Sequence, residues 1–272
     1  MLIPGHTANS YTKTMSNEEY HKDPSAISRS DLSHILQSPA HYKAAKLHHK
    51  EETAAQRIGS ALHCAVLEPN RFIGEYISYD GSRRGKNYQD FNKANQQKVI
   101  LTEDEMAKVM GMREAILQFK DFPLGLAFRM GESEKSVFWE DSTTGIQCKC
   151  RFDHIDSPII LDLKTTTDAR PQFFIKQAYK LDYDLQYAHY SAGGEAFYGE
   201  AQNFLFVTVE IDAPHGVWVH RVNPKSEFAQ KGRNKRKKAL EMYKKCLDTN
   251  TWPSYSGAFT DIGKPLMMER QF

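Results

Sequence analysis

The first half of the chain carries apolar residues at helical spacing, and the second half alternates them as strands do. In "SRSDLSHILQSPAHYKAAKLH", Leu32, Ile35 and Leu36 form one stripe, with Ser30 placed to cap the helix and Pro39 in the first turn of the next. "AAQRIGSALHCAVLEP" reads as a small-residue helix ending at Pro69, and Met106, Val109, Met110, Met112 and Ile116 space a further helix over 102–120. Between 79 and 95, "YDGSRRGKNYQDFNKAN" is polar, basic and glycine-containing, which predicts a surface loop or mobile segment.

From residue 135 the period changes to two. "KSVFWED", "GIQCKCRFDHID" and "PIILDLKTT" predict three consecutive strands with turns at Ser142–Gly145 and Ser157–Pro158. Helical spacing returns over 168–179 and 184–198. Then come the strands "NFLFVTVEI" and "GVWVHRV", and a long basic helix from about 225 to 247. The order predicts an α/β domain with a mixed sheet flanked by helices, rather than a series of βαβ units. We expect an irregular lead-in over 1–27, the domain proper over 28–250 and a tail over 251–272.

Composition narrows this only slightly. The 272 residues are 40% apolar and 26% charged with a formal net charge of +2, so any nucleic-acid surface must be a local patch. Cys64, Cys148, Cys150 and Cys246 lack Cys-x-x-Cys spacing, which excludes a zinc knuckle or iron–sulfur cluster and suits reduced thiols in a cytoplasmic protein. The N-terminal stretch lacks the pattern of a secretory signal, and no stretch approaches the ~18 apolar residues of a membrane span. We therefore expect no membrane partner.

The ribbon "RFDHIDSPIILDLKTTT" carries the chemistry. Asp162 and Lys164 share one face of a strand whose other face holds Leu161 and Leu163. With the turn centred on Ser157–Pro158, Asp153 faces Asp162 and Arg151 faces Lys164, at Cβ separations of roughly 4.5–5.5 Å. Two carboxylates that close repel, and a divalent cation between them removes the repulsion. Mg²⁺ takes one or two carboxylates, keeps several waters and accepts substrate phosphates as further ligands. Lys164 could then orient or deprotonate a water, or stabilise charge on a phosphorane, the chemistry of phosphodiester hydrolysis. Asp-x-Lys alone is an ordinary solvated strand face; the register and the apolar flanks sharpen it.

His63, four residues after Gly59 on the small-residue helix, could be a further metal ligand as a neutral imidazole, although a lone helical His is commonly structural. Glu68 fits a helix end better than a metal, and Glu134 is a possible extra acid. Gln186 and Tyr190, at i and i+4, share a helix face and could hold a DNA phosphate or base, with a structural role equally open for Tyr190. Arg83, Arg84 and Lys86 would supply salt-sensitive phosphate contacts from a loop, and Arg151 is a further candidate. The run "QKGRNKRKKALEMYKK" is read as the weaker DNA candidate.

In this order, Gly59-x-x-x-His63, Asp153, Asp162-x-Lys164 and Gln186-x-x-x-Tyr190 resemble the RecB-type PD-(D/E)XK nucleases. The phrases "SRSDLSHILQSPAHY", "GSALHCAVLEP", "CRFDHID" and "ILDLKTT" are similar to the nuclease domain of the RecE, or exonuclease VIII, family over roughly residues 25–250. The resemblance implies a PD-(D/E)XK restriction-endonuclease-like mixed sheet. It also implies Mg²⁺-dependent 5′→3′ degradation of linear double-stranded DNA, with Mn²⁺ able to substitute. The 3′ single-stranded tails would feed a RecT-type annealing protein in recombination, and a ring-shaped homo-oligomer is implied too. On this resemblance His63, Asp153 and Asp162 hold metal, Lys164 is catalytic, and Gln186 and Tyr190 support DNA. The acid before x-Lys is Asp where Glu is common elsewhere in the superfamily. The alternatives are an endonuclease or single-strand nuclease on the same fold, and a DNA-binding module without catalysis. The missing G-x-x-x-x-G-K-[ST] loop disfavours a nucleotide hydrolase.

Overall fold

The computed structural model describes residues 10–47 and 52–255. In chain order the elements are β1 (Ser10–Thr12), α1 (Asn17–Lys22), α2 (Arg29–Gln37), α3 (Pro39–Leu47), α4 (Ala54–Leu67), α5 (Pro69–Glu75), β2 (Tyr76–Tyr79) and α6 (Lys86–Ala94). They continue with β3 (Val99–Thr102), α7 (Glu103–Leu117), α8 (Leu124–Ala127), β4 (Glu132–Glu140), β5 (Gln147–Asp156) and β6 (Ile159–Thr166). The last are α9 (Pro171–Lys180), α10 (Tyr183–Tyr198), β7 (Asn203–Glu210), β8 (Val217–Arg221) and α11 (Glu227–Thr249).

Six strands form one mixed sheet in the order β1-β4-β5-β6-β7-β8, with β6 and β7 parallel. Helices cover both faces of this pair, which is why "IILDL" and "NFLFVTV" read as near-continuous apolar runs. On one face Ile160, Phe204 and Phe206 pack with residues of α2, α10 and α11. On the other, Leu161, Leu163, Leu205 and Val207 pack with residues of α4 and α7. Gly232 lets α11 lie directly on α10, since a Cβ there would stand 1.9 Å from the Asp184 carbonyl oxygen.

Several local expectations are corrected. The lead-in supplies β1, which pairs with β4, and α1, whose Tyr20 is buried, while residues 1–9 lie outside the described residues, as does the tail from 256. The cap of α2 is Ser28, not Ser30. Its hydroxyl accepts from the Asp31 amide, and the Asp31 carboxylate accepts in return from the Ser28 amide. The segment 79–95 is not one loop: α6 seats Tyr88 and Phe91 on Tyr79 of β2, with ring centroids 5.2 and 4.8 Å away. Strands β2 and β3, a separate parallel pair, had no counterpart in the sequence reading, each being four residues without clear alternation.

Candidate active site

The β5–β6 hairpin has the expected register, His154 opposite Leu161 and Ile155 opposite Ile160. The pairing ends there. Where Asp153 would continue it, the Asp153 carboxylate accepts the Leu163 amide at 2.8 Å. The β4–β5 ladder lapses at the same place: Ser133 pairs with His154 and Lys135 with Phe152, but Glu134 and Asp153 do not pair. Glu134 has φ +53°, a left-handed backbone costly for a residue with a Cβ. Phe152 and Ile155 consequently join the same hydrophobic cluster, so strict alternation is broken between them. This irregularity sets two acids side by side.

His63 comes to them from α4. Its Nε2 is 2.8 Å from the Leu163 carbonyl oxygen, so Nε2 carries the hydrogen and donates it. Nδ1 is left as a bare lone pair 3.5 Å from an Asp153 carboxylate oxygen. Burial lowers the imidazole pKa, with Lys164 adding to the effect, so the ring is neutral and the contact with Asp153 is not an ion pair. Ligand atoms of His63, Glu134 and Asp153 all lie within 4.8 Å of one another. Burial pushes both acids upward, and for Glu134 the neighbouring Asp153 charge adds to the rise. Arg151 braces Glu134, its Nε donating at 2.5 Å and another guanidinium nitrogen reaching the Met15 carbonyl at 2.9 Å. The three donors border a cavity of about 260 Å³, also lined by Tyr20, His21, Ser60 and Tyr190.

Asp162 and Lys164 stand beside this trio. Asp162 is fully buried, with one carboxylate oxygen 2.5 Å from Lys164 Nζ and the other accepting from the Gln186 amide at 2.5 Å. Burial raises its pKa to about 6, against the opposing pull of Lys164. Burial also works against the Lys164 ammonium, but Asp162 and Asp153 outweigh it and hold the pKa above that of ordinary lysine. Lys164 is therefore a charged donor here, not a base. Its ammonium lies 5.1 Å from the Tyr183 ring centroid.

The structure thus gathers His63, Asp153, Asp162, Lys164, Gln186 and Tyr190 around one place, with two corrections to the sequence reading. The mutually close donors are His63, Glu134 and Asp153; Asp162 is outside that group, engaged by Lys164 and Gln186. Gln186 is buried against Asp162 instead of facing outward, while Tyr190 lines the cavity with its ring against Phe152. Arg151 is also buried and turned to Glu134, so it offers no outward surface. Arg83 leaves the proposed DNA loop, spending its guanidinium on the Ile100 carbonyl and Glu105, each at 2.8 Å; Arg84 and Lys86 stay exposed. Glu68 binds Arg71 at 2.6 Å, in keeping with a helix end.

The donor set suits a hard divalent cation: two carboxylates and one neutral imidazole whose other nitrogen is fixed by a backbone carbonyl. The six-stranded mixed sheet with helices on both faces, holding this Asp, Asp-x-Lys constellation at its centre, is the restriction-endonuclease-like arrangement. The chain belongs to the family described as PDDEXK-like domain of unknown function (DUF3799), matching it over residues 28–262. No curated protein sequence matches significantly. Among solved structures, one from Eubacterium rectale named "Putative exonuclease" aligns with a TM-score of 0.59 at 13% identity, covering 90% of this chain and 97% of its own. At that identity the likeness is one of fold. A phage related exonuclease from Haemophilus somnus is 14% identical over 83% of this chain and 96% of its own, with a TM-score of 0.35.

Proposed function

We propose that this protein is a metal-dependent deoxyribonuclease acting as a 5′→3′ exonuclease on linear double-stranded DNA. The observation that supports the reading best is the meeting of the His63, Glu134 and Asp153 donors with the Asp162–Lys164 pair beside one cavity. His63 Nδ1, Glu134 and Asp153 would hold Mg²⁺ or Mn²⁺. When bound, such an ion cancels the repulsion between the acids and polarises a phosphodiester. The chain's own residues do the rest. Lys164 donates to phosphate oxygens as negative charge grows on them. Asp162 keeps that ammonium charged and aimed, Gln186 fixes Asp162, and Tyr190 offers a phenol at the cavity wall. Exposed Arg84 and Lys86 remain candidates for phosphate contact.

Resemblance to the RecE family extends the proposal to 3′ tails made for a RecT-type annealing partner, and to a ring-shaped homo-oligomer in the cytoplasm. Digestion of linear duplex labelled at either the 5′ or the 3′ end, with Mg²⁺, Mn²⁺ or chelator, tests the core. We expect divalent-dependent release of the 5′ label first, and loss of about 10²-fold or more in Lys164→Ala. Cutting of covalently closed circles would favour an endonuclease, and no divalent-dependent release at all would leave a binding module.

A further inference from the structure

The hydrolytic cavity is poorly supplied with free cations. Arg151 is spent on Glu134, and Arg71 on Glu68 and Glu75. The opposite holds at the start of α11, where the sequence runs from 228 to 240 without an acid and includes six cations. Two of them are neutralised inward: Lys235 by Asp182 and Asp184, and Arg236 by Asp141. The other four, Lys231, Arg233, Lys237 and Lys238, are exposed. Lys237 reaches Glu241 only at 3.9 Å, and the other three have no carboxylate within ion-pair distance among the described residues. Three charges without a carboxylate partner and a fourth held only loosely thus crowd onto eight residues, roughly 12 Å of helix.

Beside them lies a cleft of about 560 Å³ between α10 and α11, closed at one end by the β4–β5 turn. Arg233, Lys237, Gln230 and Asn234 line it from α11, and Thr143 from the turn. Two acids also line it. Asp141 is already held by Arg236 and Thr144, which leaves Glu195 as the exposed one. From α10 the cleft takes Tyr187, Ala188, Ser191, Ala192 and Glu195, whereas Tyr190 is the residue of that helix that lines the hydrolytic cavity. The two recesses therefore lie on different faces of one helix.

We infer that the first half of α11 and its cleft hold a second stretch of nucleic-acid backbone, outside the hydrolytic site and without reading sequence. The inference rests on the nuclease reading above. Its ligand is the phosphodiester chain, matched by a cationic face with amide and hydroxyl donors.

The test is the full-length variant Lys231→Gln/Arg233→Gln/Lys237→Gln/Lys238→Gln beside a charge-preserving control, Lys231→Arg/Lys237→Arg/Lys238→Arg. Affinity for a labelled duplex is measured by anisotropy across a salt series in chelator, and single-turnover hydrolysis at saturating enzyme with Mg²⁺. The neutralised variant should bind more weakly with a log–log salt slope shallower by roughly 0.9 per lost contact, about 3.6 for four. Its single-turnover rate at saturation should stay that of wild type, and the control should restore the slope. An unchanged slope overturns the inference, and is also what a docking face for an acidic protein would give. Wild type that binds but does not hydrolyse would instead sink the nuclease reading while leaving the backbone contact measurable.

Discussion

His63, at the centre of the site, is tied at Nε2 and open at Nδ1, and the Asp153 oxygen that accepts the Leu163 amide is the same one that lies 3.5 Å from that nitrogen. Without a cation the half-buried carboxylates repel, so Asp153→Asn should melt higher than wild type in chelator and lose the advantage in Mg²⁺ or Mn²⁺, by differential scanning fluorimetry. Glu134→Gln should weaken Mn²⁺ binding by about tenfold or more in calorimetry. A separate residue-scale effect belongs to His189, whose pKa burial lowers from the ordinary 6.5 to about 3. The folded chain keeps it neutral while the unfolded chain protonates it. Its contribution to stability is whole above pH 6.5 and is lost as pH falls toward 3. Relative to His189→Asn, wild type should therefore lose up to ~1.4 kcal/mol per pH unit in that window, by chemical denaturation at stepped pH.

Among the elements, the β5–β6 ribbon was the easiest to read in advance, because apolar alternation and a two-residue turn leave little freedom of register. Asp153, Asp162 and Lys164 followed from it. Glu134 did not: its position depends on a left-handed residue and a lapse in two ladders, and neither has a signature in "GESEKS". The α1 residues lining the cavity were hidden for another reason. Their segment is short and polar, and is held by Tyr20 packing onto residues far along the chain. The basic loop misled because charge in a sequence does not reveal whether a buried Glu105 awaits it. Arg83→Ala should accordingly cost about 1–3 kcal/mol, since it leaves Glu105 with Arg57 as its one cation, whereas exposed Arg84→Ala should be near neutral in denaturant titrations. The contact of α10 with α11 is as demanding, and Gly232→Ala should destabilise by ~1–3 kcal/mol or more through backbone overlap.

For the molecule as a whole, the layered architecture was legible because β6 and β7 are largely apolar on both faces, which requires helices on both sides. Length and net charge contributed little. No helix among the described residues is long and apolar enough to cross a membrane. The sheet centre supplies stiffness, and the chemistry sits where that regularity breaks.

The break has a price in evolution and in engineering. At φ +53°, position 134 is one where glycine or asparagine would relax the backbone, and a search for thermostable variants judged on melting alone would replace the glutamate early. The gain would be a sturdier chain with an impaired cation cradle. Keeping an acid in so uncomfortable a posture makes sense only for a protein selected on what that acid does.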